Sequence, residues 1–91
     1  MPKWSLEFGS KAEKDIFLLD KADRVRVINK IDWCVKNFND ILPIILTADF
    51  REYFKLRVGD WRIFYKVNWR NNIILIEYIE HRSKAYKKRK K

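Results

Sequence analysis

The sequence has one cysteine, one histidine, two glycines and two prolines. The lone cysteine, Cys34, excludes an internal disulfide and a cysteine-based zinc site. With His81 the only histidine and no cluster of carboxylates, no metal site is expected. So little Gly and Pro leaves no flexible linker, and most of the chain should be ordered. No apolar run is long enough to span a bilayer, and the first residues lack the pattern of a secretory leader. A cytoplasmic protein without a membrane role is therefore expected. Its 91 residues make a single domain, 1–91, with a core only modestly above the minimum for independent folding.

Aromatic residues and positive charge are plentiful. There are four Trp, four Tyr and six Phe, and the net charge is +9. Most of that charge sits at one end: residues 1–80 hold 14 basic and 12 acidic side chains, while 81–91 ("HRSKAYKKRKK") hold seven basic and none acidic. Polyanions are the expected partners of such an end. A short basic tail can also serve solubility alone. The polyanion reading is preferred because a second basic feature lies elsewhere in the chain.

That feature is "KLRVGDWRIFYKV", residues 55–67. A two-residue turn at Gly59-Asp60 pairs Val58 with Trp61, Leu56 with Ile63 and Phe54 with Tyr65 on one apolar face. The other face then sets Arg57 opposite Arg62 and Lys55 opposite Phe64. Like charges placed directly across a strand pair are destabilising. The arrangement makes sense if that face receives phosphate, which screens the repulsion and accepts the forked guanidinium donors.

The remaining pattern is α+β. Trp4, Leu6 and Phe8 alternate with polar residues over 3–8, as in a strand. Gly9 breaks it, and Ser10 with Glu13 has the spacing of a capping box for a first helix with Ala12, Ile16 and Leu19 on its apolar stripe. Asp20 caps a second helix over 21–38, with Val27, Ile28, Ile31, Cys34, Val35 and Phe38 buried. Residues 39–52 read as an irregular connection whose Ile41, Leu42, Ile44 and Ile45 pack over the core. Strands follow over 53–58, 61–68 and 73–80. The last is apolar on both faces except for Glu77, which predicts a central strand covered on both sides. The order is an N-terminal strand, a helical hairpin and an antiparallel three-strand meander, together forming a mixed four-stranded sheet. The basic tail, 83–91, is expected to add a short C-terminal helix.

"YFKLRVGDWRIFYKVN", followed after one strand by "HRSKAY", resembles the RelE/ParE superfamily of toxins from type II toxin–antitoxin pairs. The capped helical hairpin and the "TADFREYFKLRVGDWR" entry into the sheet are similar too, so the resemblance runs from about residue 4 to 87. It implies the RelE-like fold and a cognate antitoxin partner. It also implies one of two activities: ribosome-dependent mRNA cleavage, as in RelE, or gyrase inhibition by binding, as in ParE. A toxin–antitoxin hetero-oligomer on operator DNA is a further implied assembly, and binding DNA with the antitoxin alone is a third, weaker role.

The RelE resemblance implies catalytic roles for Lys55, Arg62, Arg82 and Tyr86 and needs no cofactor. The RNA 2′-hydroxyl attacks the adjacent phosphate, so the site must supply a base, cations for the transition state and an acid for the leaving oxygen. Arg62 and Arg82 stay protonated and suit the phosphate. Lys55 can act as base if neighbouring guanidiniums lower its pKa. Tyr86 can stack on a base, orient the 2′-hydroxyl or pass a proton. Arg57 joins by geometry, and Lys84, Lys87 and Lys88 are candidate phosphate contacts in the tail. His81 titrates nearest neutrality and is a further candidate. Strand alternation, however, sends it to the face opposite Arg82. One position departs from the family pattern: two before Lys55, where RelE-like nucleases commonly carry a basic residue, stands Tyr53. Tyr86 and the basic tail favour ribosome and mRNA over gyrase as the target. Cys34 is read as core, Trp33 and Trp69 as packing residues, and Glu77 as the partner of a nearby cation.

Overall fold

Gly59 has φ +57° and Asp60 does not share a positive φ, the pattern of a hairpin turn with glycine in its first central position. Around that turn the chain folds back as the alternation dictates. In the computed structural model, which describes residues 3–41 and 54–83, β2 (Phe54–Val58) and β3 (Trp61–Asn68) pair antiparallel in the expected register. Val58 meets Trp61, Leu56 meets Ile63, and Arg57 lies opposite Arg62. β4 (Ile73–His81) pairs antiparallel with β3, and β1 (Ser5–Phe8) pairs parallel with β4. The sheet order is β1-β4-β3-β2, a mixed four-stranded sheet with the last strand central.

α1 (Ser10–Leu18) and α2 (Lys21–Lys36) cover one face. Ile63, Tyr65, Ile74, Ile76 and Ile79 from the sheet meet Ala12, Leu19, Val27, Ile31, Cys34 and Phe38, all buried. The predicted α2 stripe is narrower than expected: Ile28 is 38% exposed, while Val27, Ile31 and Cys34 are buried and Val35 packs beside them. The helix ends at Lys36, before Phe38, which still enters the core. Asp20 caps α2 as predicted, its carboxylate accepting from the Asp23 backbone N–H at 2.9 Å. The capping box at Ser10 does not form. Gly9 is the N-cap of α1, Ser10 is already helical, and no side chain caps that end. The other end of α1 is held by Arg24, which donates to the carbonyls of Ile16, Phe17 and Leu19 at 3.1, 2.9 and 2.8 Å.

β4 breaks simple alternation once. Phe64 pairs with Tyr78 and Tyr65 with Ile76, so Glu77 is an extra residue, a β-bulge. Before it, Ile74 and Ile76 point to the helices; after it, Ile79 does. Without the bulge, Tyr78 and Glu80 would continue the even-numbered face into the core. Glu77 pairs with Lys66 at 3.8 Å, the expected cation partner. Beyond Phe8 the edge of β4 is met by α1, whose Asp15 accepts the Ile79 backbone N–H at 2.9 Å. The expected packing of Leu42, Ile44 and Ile45, the first residue of the 53–58 strand and the tail helix fall outside the described residues. No helix among the described residues is long and apolar enough to cross a membrane.

Candidate functional site

The sheet face away from the helices gathers the charged positions of the hairpin. β2 contributes Lys55 and Arg57, both exposed, and β3 contributes Arg62, half-buried. The chain then leaves β4 at His81, and the Arg82 backbone N–H donates to the Asp60 carbonyl at 2.8 Å. That bond brings Arg82 back over the hairpin turn. Arg57, Arg62 and Arg82 line one cleft of about 180 Å³ together with Gly59 and Asp60. Three guanidiniums from three places in the sequence thus converge on a space of anion size.

Two carboxylates belong to this end of the sheet, and the sequence reading assigned neither to it. Asp60 lies 3.6 Å from the Arg82 guanidinium, an exposed ion pair of the kind worth at most about 1 kcal/mol. Glu80 is the register partner of Arg62 on β4. Arg62 therefore stands between a like charge, Arg57, and an opposite one. The repulsion across the hairpin is partly offset inside the protein, and the cleft keeps a net positive charge. Asp60 reads as a turn residue in sequence, and Glu80 is hidden by the bulge that sets its face. The alternating cations on β2 and β3 give no signal for either.

Lys55 lies on the same face one pleat along, opposite Phe64, and does not line the cleft. His81 is on the other face, as alternation requires. It packs edge-on to Trp61 with ring centroids 5.0 Å apart, and its Nδ1 lies 2.9 Å from Ser83 Oγ. It lines a second depression with Asp23, Arg26 and Trp61, which adjoins the guanidinium cleft through the shared turn residues Gly59 and Asp60, and it does not line that cleft itself. Tyr86, Lys84, Lys87 and Lys88, like Tyr53, lie outside the described residues. Cys34 is buried, and burial pushes its thiol pKa up, partly offset by its hydrogen bond to Tyr65 and by Lys30. Burial raises Tyr65 as well, reinforced by Cys34. Both are core groups. Trp69 packs edge-on to Trp4 and Phe54, and Lys30 lies over the Trp33 ring at 4.3 Å. Among the described residues no three His, Cys, Asp or Glu side chains converge as a metal site would require.

Comparison with known proteins agrees with this architecture. No curated protein matches the sequence. Among solved structures, the free form of an arginine-substituted E. coli toxin RelE superposes with a TM-score of 0.67 at 18% identity, covering 93% of this chain and 90% of that one. The RelBE2 toxin–antitoxin complex of Mycobacterium tuberculosis gives 0.64 at 20% identity, covering 89% and 100%. The RelB–RelE antitoxin–toxin complex of Methanococcus jannaschii gives 0.62 at 25% identity, covering 89% and 95%. These likenesses carry the fold. Residues 6–86 match the family described as the ParE toxin of the type II toxin–antitoxin system parDE. The chain belongs to that family, within the RelE/ParE toxin superfamily.

Proposed function

We propose that this toxin is a ribosome-dependent mRNA endonuclease acting in the cytoplasm and neutralised by a cognate antitoxin. The observation that carries the reading is the convergence of Arg57, Arg62 and Arg82 on one cleft. Guanidiniums that line one cleft suit a phosphodiester in charge and in their forked donors, and they stay charged throughout the reaction. The RNA 2′-hydroxyl loses its proton to a base and attacks the adjacent phosphorus. The P–O5′ bond breaks, and the leaving oxygen takes a proton while a cyclic phosphate remains. Arg62 and Arg82 hold the phosphate oxygens as negative charge grows on them. Lys55, one pleat away, and Tyr86 are the candidates for proton transfer. Lys84, Lys87 and Lys88 add phosphate contacts, with ribosomal RNA as the natural target.

The three arginines hold a phosphate but do not by themselves orient the 2′-hydroxyl for attack. The ribosome supplies that orientation, a contribution that reaches several kcal/mol in well-positioned reactions. A second reading, inhibition of DNA gyrase by binding, is favoured by the match to the ParE family. The antitoxin partner is supported by the complexes in which the similar M. tuberculosis and M. jannaschii toxins were solved.

A cell-free translation reaction with the purified chain, followed by primer extension on the mRNA, separates the two activities. Cleavage inside the reading frame, confined to translating ribosomes, is the expected result. Intact mRNA together with blocked DNA supercoiling by gyrase would transfer the chain to the second reading.

A further inference from the structure

Most of the described aromatic residues are committed to packing. Phe38, Trp4, Phe54, Tyr65 and Trp69 form a network of edge-on and tilted contacts around the core, and Trp61 packs against it. Phe64 and Tyr78, both half-buried, are placed differently. They belong neither to the buried core nor to the partly buried apolar residues packed against it. They pair across β3 and β4 on the face away from the helices, with rings stacked at 4.5 Å and 14°. Only the bulge at Glu77 allows this, because it turns Tyr78 outward to meet Phe64.

Their neighbours give the pair its meaning. Along β3, Phe64 is two residues from Arg62, a separation of about 6.7 Å on the same face. Across to β2, it faces Lys55. The rings therefore sit one pleat from the guanidinium cleft, beside a further cation. That is the spacing of the two ends of a single nucleotide, with its phosphate on the arginines and its base on the rings. A four-stranded sheet with aromatic residues on its two central strands and cations around them is a general solution for single-stranded RNA, whose splayed bases stack on exposed rings.

We infer that Phe64 and Tyr78 form a nucleobase platform, which takes the base of the nucleotide whose phosphate is held by Arg57, Arg62 and Arg82. The inference rests on the phosphate reading of the cleft but not on cleavage. Stacking accepts any base and favours purines, so the platform positions the nucleotide and biases which one is held. Lys55, opposite Phe64, then lies beside the base end of the nucleotide, one pleat from the phosphate.

The test uses the full chain, NMR signals of the Phe64 and Tyr78 rings and of the arginine Nε–H groups, and two kinds of probe. Nucleoside 5′-monophosphates should shift both ring and arginine signals, AMP and GMP more strongly than CMP and UMP. Inorganic phosphate should shift the arginines alone. Phe64→Leu and Tyr78→Leu should each weaken nucleotide binding about 5- to 150-fold, the range of one lost base stack, and leave phosphate binding unchanged. Ring signals that stay still while the arginines respond to nucleotides would overturn the platform and leave the phosphate cleft standing. Silence from both groups would overturn both. The wild-type titration decides the matter even if a variant fails to fold. A chain that binds nucleotides on its rings yet never cleaves mRNA would keep the platform and lose the nuclease.

Discussion

The two faces of the sheet are made by the same strands and obey opposite rules. On β3, Ile63 and Tyr65 point to the helices and are almost wholly buried, while Arg62 and Phe64, which alternate with them, point away. The helix side contains no buried charged residue among those described, and its polar groups are satisfied in pairs, as Cys34 and Tyr65 are. The far side brings three guanidiniums together with two carboxylates, Asp60 and Glu80, among the described residues. Packing explains the first arrangement completely. It gives no reason for the second, since stability alone would place acidic residues opposite arginines and would not set one arginine against another. The difference is what makes this end of the sheet, where the rule of the core stops applying, the proposed site.

Breaking the packed face should have the largest effect. Phe38 is wholly buried and touches Trp4, Tyr65 and Trp69. Phe38→Ala should cost about 3–5 kcal/mol, a large part of the stability of so small a domain. Chemical denaturation should show it as a much lower midpoint. A loss under 1 kcal/mol would mean that the helices do not close the core as described.

Breaking the open face should spare stability and remove activity. Arg62→Gln should lower mRNA cleavage by about 10²–10³-fold, corresponding to about 2.7–4 kcal/mol of lost transition-state contact. Its effect on the fold should be close to zero, because relief from Arg57 and loss of Glu80 are opposing terms of about 0.2–1 kcal/mol each. Arg57→Gln sharpens the point. Arg57 has Arg62 as its register partner and, among the described residues, no strand on its other side, so this change should stabilise the protein by a few tenths of a kcal/mol to about 1 kcal/mol. Thermal melts and cleavage assays on the pair separate the two roles. An active Arg62→Gln protein that melts early would make Arg62 a packing residue.

The turn joins the two faces, and its effect is intermediate. Gly59 has a positive φ, and a Cβ there would lie 2.7 Å from an Arg26 guanidinium nitrogen reaching up from α2. Gly59→Ala should cost about 1–2 kcal/mol from backbone conformation alone, and it must also displace Arg26. Because Gly59 also lines the arginine cleft, activity should fall with stability in this variant, unlike in Arg62→Gln. A variant that loses stability and keeps full activity would show that the cleft does not depend on the turn.

What was legible in the sequence follows the same division. The hairpin register could be read because a turn glycine and strict alternation agree, and a slip by one residue would move Ile63 and Tyr65 into water. The central place of β4 could be read from its apolar character on both sides. Its phase could not, because one extra residue at Glu77 exchanges the faces and nothing local announces a bulge. The residues missed at the site depend on that exchange: Tyr78 and Glu80 reach the open face only after it. Asp60 was missed for another reason. Its second role exists only because the end of β4 returns to the turn, a long-range fact that spacing along the chain does not encode. Arg57, Arg62 and Arg82 were legible together through the family pattern and the hairpin geometry.

The smallest expected effect concerns the two helix starts, which look alike in sequence and differ in the structure. Asp20 accepts the Asp23 N–H, so Asp20→Ala leaves that donor without its cap and should cost about 1 kcal/mol. Ser10 has the equivalent spacing to Glu13 but already lies inside its helix. There the Glu13 N–H is bonded to the Gly9 carbonyl at 3.0 Å, so no donor waits for the serine hydroxyl. Gly9 can hold the cap position because its own N–H donates to the Ile76 carbonyl at 2.8 Å, tying the start of α1 to the sheet. A side chain at residue 9 would approach that same carbonyl to 3.4 Å. Ser10→Ala should therefore change stability by no more than a few tenths of a kcal/mol, and in the stabilising direction, since alanine is the better helix former. Paired melts of the two alanine variants measure the contrast. Equal losses at both positions would mean that Ser10 caps α1 after all and that the helix begins one residue later.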